Sequence, residues 1–235
     1  MKRLLRRLMR ALGWTAAILV GAVLLMQLWF YGHILYWSKF PVGETSFMAQ
    51  RLEAMRRTRP NAELNYRWVD YERISDHLKR AVVAAEDAKF VEHEGFDWEG
   101  IRRAVEKNQR RGKPVAGGST ISQQLAKNLF LSGERSYLRK AQEAVITLML
   151  ELTLDKRRIL ELYLNVAEWG EGVFGAEAAA RHYYGVSAAR LTRTQAARLA
   201  AMLPRPRYYD RNRDSAYLAQ YSARIQARMD AVAIP

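Results

Sequence analysis

Ser75-Asp76-His77-Leu78-Lys79-Arg80-Ala81-Val82-Val83-Ala84-Ala85-Glu86-Asp87 is the stretch whose period decides the fold. Ser75 can cap a helix, and Leu78, Ala81, Val82 and Ala85 fall at the three- and four-residue spacing of an amphipathic helix. The same period recurs downstream. Thr120-Ile121-Ser122-Gln123 has the T-x-x-Q form of a capping box and opens a second helix. A third runs from about Arg139 to Leu154, apolar at 141, 144, 145, 148, 149 and 152, and a fourth from Lys156 to Asn165. A fifth, Ala176 to Tyr184, is closed by Gly185 where glycine favours a helix end, and a sixth, capped by Thr192 with Gln195 three on, stops before Pro204. No run alternates as a strand would and none repeats, so the fold class is mainly α.

Upstream lies a different kind of helix. Lys2, Arg3, Arg6, Arg7 and Arg10 precede a run from Ala11 to Tyr31 without a charge, broken only by Thr15 and Gln27 among its larger polar groups. Roughly 20 residues at about 1.5 Å each cross a hydrocarbon core of about 30 Å, so the run fits a transmembrane helix with its basic end in the cytoplasm. Trp29, Phe30, Tyr31, Tyr36 and Trp37 have the composition of an aromatic belt. A cleavable signal peptide would be shorter and followed by a small-x-small site, whereas Gly32-His33-Ile34-Leu35-Tyr36-Trp37 follows here. The chain therefore divides into a basic segment 1–10, a signal anchor 11–32, a connector 33–74, a helical domain 75–205 and a basic polar tail 206–235 opened by Arg205, Arg207, Arg211 and Arg213.

Composition sets the bounds on chemistry. With 235 residues, 49% hydrophobic and 26% charged, the chain is long and apolar enough for a sizeable core. The absence of cysteine excludes a disulfide framework, a Cys-ligated metal and a thiol nucleophile. Thirty-eight Lys and Arg against 24 Asp and Glu give +14, which calls for an anionic partner. Behind a membrane anchor, lipid phosphates suit that charge and a nucleic acid does not.

Three places carry candidate chemistry. Glu86-Asp87 ends the Ser75 helix, and Phe90, four residues on, would lie on the same face one turn away; a carboxylate roofed by that ring should have a raised pKa, as a general acid or base requires. A solvated acidic pair is the plainer alternative, and His93 reads equally as a structural histidine. Gly117-Gly118-Ser119-Thr120 leads into a helix N-terminus, where unpaired N–H groups suit a phosphate, with Gln123 and Lys127 one turn apart; an ordinary capped helix is the alternative. Arg139, Lys140 and Glu143 share one face, with Arg135 upstream, as either a substrate site or a structural ion pair. Gly170-Glu171-Gly172-Val173-Phe174-Gly175 matches G-x-G-x-x-G but lacks a nucleotide fold's flanking strands, so a tight loop is expected there. Arg102, Arg103, Lys107, Arg110, Arg111 and Lys113, around Phe96, Trp98 and Ile101, read as a mobile basic segment near anionic headgroups or as a solvated loop.

In order along the chain, these stretches resemble the signatures of the family 51 glycosyltransferases, the peptidoglycan polymerases. Glu86 to Gly95 is similar to E-D-x-x-F-x-x-H-x-G, and Gly117-Gly118-Ser119-Thr120-Ile121-Ser122-Gln123-Gln124-Leu125-Ala126-Lys127-Asn128 to the second signature. Arg139-Lys140-Ala141-Gln142-Glu143 matches R-K-x-x-E, Ile159 to Asn165 the helix after it, and Gly172 to Gly185 the last. Ser122 stands where many members have Thr, and Tyr184 where Phe is common. Two-domain members add a penicillin-binding transpeptidase with S-x-x-K, S-x-N and K-T-G motifs. None of these stands in this sequence, and a monofunctional enzyme is expected.

The resemblance implies a lysozyme-like, two-lobed helical domain whose cleft opens toward the outer face of a bacterial cytoplasmic membrane. The implied substrates are lipid II and the growing glycan chain, with anionic lipids and other wall-synthesis proteins as neighbours. It implies Glu86 as general base for inverting transfer and Glu143 as the second carboxylate. Ser119, Gln123, Lys127, Arg135, Arg139 and Lys140 would hold phosphates or sugars. No cofactor is required; Mg or Mn on the diphosphate is compatible, although no ligand cluster demands it. A lysozyme-like hydrolase and a noncatalytic scaffold for wall synthesis are the rival readings.

Overall fold

The computed structural model describes residues 2–113, 117–134 and 136–235. The expected helices form where their caps and stripes put them. The Ser75 hydroxyl accepts from the His77 N–H at the start of α3 (Asp76–Glu86). The Thr120–Gln123 capping box opens α5 (Ile121–Phe130), and Ser136 and Asp155 cap α6 (Tyr137–Thr153) and α7 (Lys156–Val166). α8 (Ala176–Tyr184) ends at Gly185 with φ 65°, and α9 (Arg193–Met202) carries the Thr192–Gln195 capping box.

The helices pack as two groups. In one, α5 lies against α2 (Ser46–Arg56), α6 and α7; in the other, α3 and α9 pack together with α11 (Ala216–Arg228). Leu78, Ala81 and Val82 on α3, the face its spacing anticipated, are fully buried, as are Ile121 and Leu125 on α5 and Ile159, Leu160 and Leu164 on α7. Mainly α describes the fold.

Several segments differ from the sequence reading. A small sheet is present, order β1-β3-β2: β1 (Asn65–Tyr66) runs parallel to β3 (Val173–Phe174), which pairs antiparallel with β2 (Glu168–Gly170). Strands of two and three residues are too short for alternation to register. The glycines of the G-x-G-x-x-G string form the hairpin between β2 and β3 and the entry to α8, the tight loop expected. The segment read as a mobile basic stretch or loop is α4 (Trp98–Arg111), capped by the Asp97 carboxylate on the Gly100 N–H and ended by Gly112. The residues after 205, read as a polar tail, form α10 (Pro206–Arg211) and α11; Leu218 and Ile225 are fully buried against α3 and α9.

The anchor is one helix, α1 (Lys2–Trp37), of which Met9–Trp37 is long and apolar enough to cross a membrane. Its outer end joins the domain. Phe30 and Trp37, read as aromatic-belt residues, pack instead on Phe130 of α5 with ring centroids 5.0 and 5.2 Å away, while Trp29, Tyr31 and Tyr36 stay exposed. Arg158 donates to the carbonyls of Trp37 and Phe40, and the Gln27 and Gln142 amides pair at 2.9 Å, holding α1 to α6. Beside α1, helix α6 keeps Leu138, Val145, Leu148 and Leu152 exposed along one stripe, so the apolar positions read from the sequence lie largely on its surface and Ile146, Thr147 and Leu150 are buried instead.

Candidate active site

Glu86 is the last residue of α3, where Asp87 leaves helical geometry. Gln124 donates its amide to Glu86 Oε2 at 2.7 Å, and the buried Tyr163 hydroxyl donates to Gln124 Oε1 at 3.1 Å. Part of the Glu86 residue reaches solvent, but protein crowds its carboxyl. Burial therefore pushes its pKa up, against the Gln124 bond and the Lys127 charge, with Asp87 adding to the rise. Because α3 stops at Glu86, Phe90 is no longer one helical turn away; it is buried with its ring 6.5 Å from that of His93 and 4.8 Å from the Lys156 ammonium.

Asp87 does structural work. Its buried carboxylate accepts the Ile121 N–H at 3.0 Å and holds His93 Nε2 at 2.9 Å. The Thr120 hydroxyl accepts from the Gln123 N–H, Gln123 Oε1 accepts from the Thr120 N–H, and the Thr120 hydroxyl donates to the Gly95 carbonyl at 2.6 Å. At the start of α5 the Ile121 and Gln123 N–H groups are thus taken by the Asp87 carboxylate and the Thr120 hydroxyl, while Gly117, Gly118 and Ser119 before it line a hollow with Glu86. The Gln123 carbonyl serves the cap, although its side chain still borders a hollow with Ser119 and Lys140.

The cations gather one turn further along. Lys127 is largely buried, which lowers its pKa; Glu143 and Glu86 pull it up, while Arg139 and Lys140 push it down. All four groups thus act on one ammonium, which stands in the field of both carboxylates. Glu143 is 3% exposed and is held by Arg139 Nη1 at 2.7 Å and by the Lys140 ammonium, whose nitrogen is also 3.5 Å from Ser119 Oγ. A buried carboxylate between two cations is the pairing that burial demands. Glu86, Glu143, Lys127, Arg139, Lys140 and Ser119 therefore share one region, and Arg135 lies outside the described residues.

Gln124, Lys127 and Tyr163 also face a cleft of about 610 Å³. Its far wall was not anticipated. There Arg51 pairs with Glu168 (Nε to Oε1 2.7 Å), and Arg205 just before α10 and Arg207 and Arg211 within it line the same space. Burial raises the Glu168 pKa, opposed by Arg51 and Arg207. Gln124 stood in the quoted motif without a role; Arg51 and Glu168 gave no local signal, being 117 residues apart. Glu86 itself borders a smaller hollow under α4, where Gly118 passes so close that a Cβ would sit 3.0 Å from the Ile101 Cα. Among the described residues no group of three or more His, Asp or Glu is placed to hold a metal ion.

A family model described as Transglycosylase matches residues 52–232. Curated relatives named biosynthetic peptidoglycan transglycosylase are similar over nearly the whole chain. The one from Dechloromonas aromatica is 63% identical over 217 residues, 92% of this chain and 94% of its own. Those from Azoarcus sp. and Janthinobacterium sp. are 59% and 56% identical, covering 100% and 99% of this chain and 100% of theirs.

Proposed function

From the premise that the chain belongs to the transglycosylase family and is a peptidoglycan glycosyltransferase of lysozyme-like fold, we propose that it polymerises lipid II with Glu86 as general base. The observation that carries the reading is the meeting of a desolvated carboxylate with a cationic wall. Glu86 is raised by burial and steadied by Gln124, and Lys127 stands in its field with Arg139, Lys140 and Glu143 behind.

Glu86 takes the proton from the 4-hydroxyl of the acceptor's N-acetylglucosamine. That oxygen attacks C1 of the N-acetylmuramic acid at the reducing end of the growing chain, and the polyprenyl diphosphate departs from the opposite face with inversion. Lys127, Arg139 and Lys140, with Arg135 just upstream of the R-K-x-x-E motif, stabilise the departing charge, and Ser119 and Gln123 border the substrate. Glu143 holds Arg139 and Lys140 in place. A divalent ion, where present, travels with the substrate's diphosphate, since the protein wall there is cationic. The apolar α1 and the exposed stripe on α6 support a membrane anchor with the cleft near the outer leaflet, in reach of anionic lipids and of other wall-synthesis proteins.

The test is incubation of the purified protein with labelled lipid II. Wild type yields long glycan and lipid diphosphate, and Glu86→Gln lowers turnover by about 10²- to 10⁴-fold. Unchanged polymer from that variant removes Glu86 as the base, and breakdown of finished sacculi instead favours the hydrolase.

A further inference from the structure

A second hollow, of about 420 Å³, opens beside the cleft. α9, α10 and α11 build it, and its lining is aromatic: Tyr208, Tyr209, Tyr217 and Tyr221, with Arg205 and Ser215 as polar members. Pro204, Arg205 and Tyr208 border both spaces, so hollow and cleft share a wall. Tyr209 and Tyr221 are buried and half-buried, while Tyr208 and Tyr217 remain 48% and 57% exposed. The rings pair, Tyr208 edge-on to Tyr209 at 5.2 Å and Tyr217 tilted 30° to Tyr221 at 6.1 Å. Proton transfer and leaving-group stabilisation use none of these side chains.

Single exposed aromatics are ordinary, but four converging on one hollow that shares a wall with the Gln124–Lys127 cleft are not. Its volume lies at the small end of ligand sites, about 300–1,000 Å³. A pyranose matches the lining: one face of the sugar is C–H and stacks on a ring, while its hydroxyl rim meets phenols, Arg205 and Ser215. A polyprenyl tail does not match, because only Ala201 and Pro204 offer aliphatic surface, and α1, the membrane helix, packs on α6 rather than on this wall. Burial raises the pKa of both Tyr209 and Tyr221, keeping them O–H donors. The Glu86 charge adds to the rise at Tyr221, so the hollow lies within the field of the reacting end.

We infer that this hollow is a sugar-stacking subsite that grips a pyranose of the growing glycan away from the reacting anomeric carbon. The inference rests on the polymerase reading of the cleft. A strand held there stays on the enzyme between additions, so the subsite governs product length.

The first test uses the full chain in detergent with Glu86→Gln to stop turnover, titrated calorimetrically with a β-1,4-linked N-acetylglucosamine hexasaccharide. Binding is expected, weakened about 2- to 10-fold by Tyr217→Ala and retained by Tyr217→Trp. Equal binding in the Ala variant, or competition by a polyprenyl phosphate at the same rings, overturns the subsite. With Glu86 intact, Tyr217→Ala is expected to shorten the glycan made from lipid II; an unchanged length distribution at an unchanged melting temperature overturns it as well. Failure of the Glu86 assignment would show separately, as turnover by the Gln variant, because the titration reads binding without chemistry.

Discussion

At the scale of the residue, Glu86 carries opposed influences that can be moved one at a time. The Gln124 amide favours the charged carboxylate. Gln124→Leu removes that bond, so the Glu86 pKa rises further and the acid limb of the pH–rate profile moves to higher pH. An unmoved limb would mean that another group titrates. Stability carries the opposite mark. A carboxyl whose folded pKa lies above its unfolded value favours the fold in its protonated form; that stability is present below about pH 4.3 and is lost as pH rises through the folded value. Glu86→Gln should therefore melt higher than wild type near neutral pH, with the gap closing in acid. Equal melting at all pH would deny the desolvation. What made Glu86, Lys127 and Glu143 visible in the sequence was their place in local motifs, whereas the Tyr163–Gln124–Glu86 chain and the Arg51–Glu168 pair exist only through packing between distant segments.

At the scale of the element, backbone geometry sets the sharpest test. Gly175 enters α8 at φ 85°, and a Cβ there would sit 2.7 Å from the Asn165 carbonyl oxygen of α7. Gly175→Ala should cost more than about 1 kcal/mol in denaturant unfolding, because neither backbone can yield. Gly185, at φ 65° with open space around it, should accept Asn with much less loss. A comparable cost at both sites would show that conformation alone matters. The helices legible from sequence were those whose caps and stripes are local: Ser75, Thr120 and Thr192 each announce a start. α4 was missed because charge surrounds it and only Ala104 is buried. α11 was missed because its arginines hid the stripe of Leu218 and Ile225 that packs on α3 and α9. β1 joins the sheet by pairing residues about 100 positions apart, Asn65 with Val173, which no local pattern encodes.

At the scale of the molecule, α1 is both anchor and part of the domain wall. From Phe30 onward its inner face belongs to the protein core, joined through Phe130 and Arg158. About twenty residues, Arg10 to Phe30, remain between the basic end and that junction, and at about 1.5 Å each they measure close to the ~30 Å of a bilayer's hydrocarbon. Nothing is left over as slack. The helix therefore works as a ruler: it fixes how high the cleft stands above the leaflet from which a lipid-linked sugar must rise. A thicker bilayer would draw the domain's rim down into the headgroups, and a thinner one would make the whole body lean. Turnover in vesicles of graded acyl length should peak at the matched thickness, and a flat profile would mean that the joint at Phe130 bends.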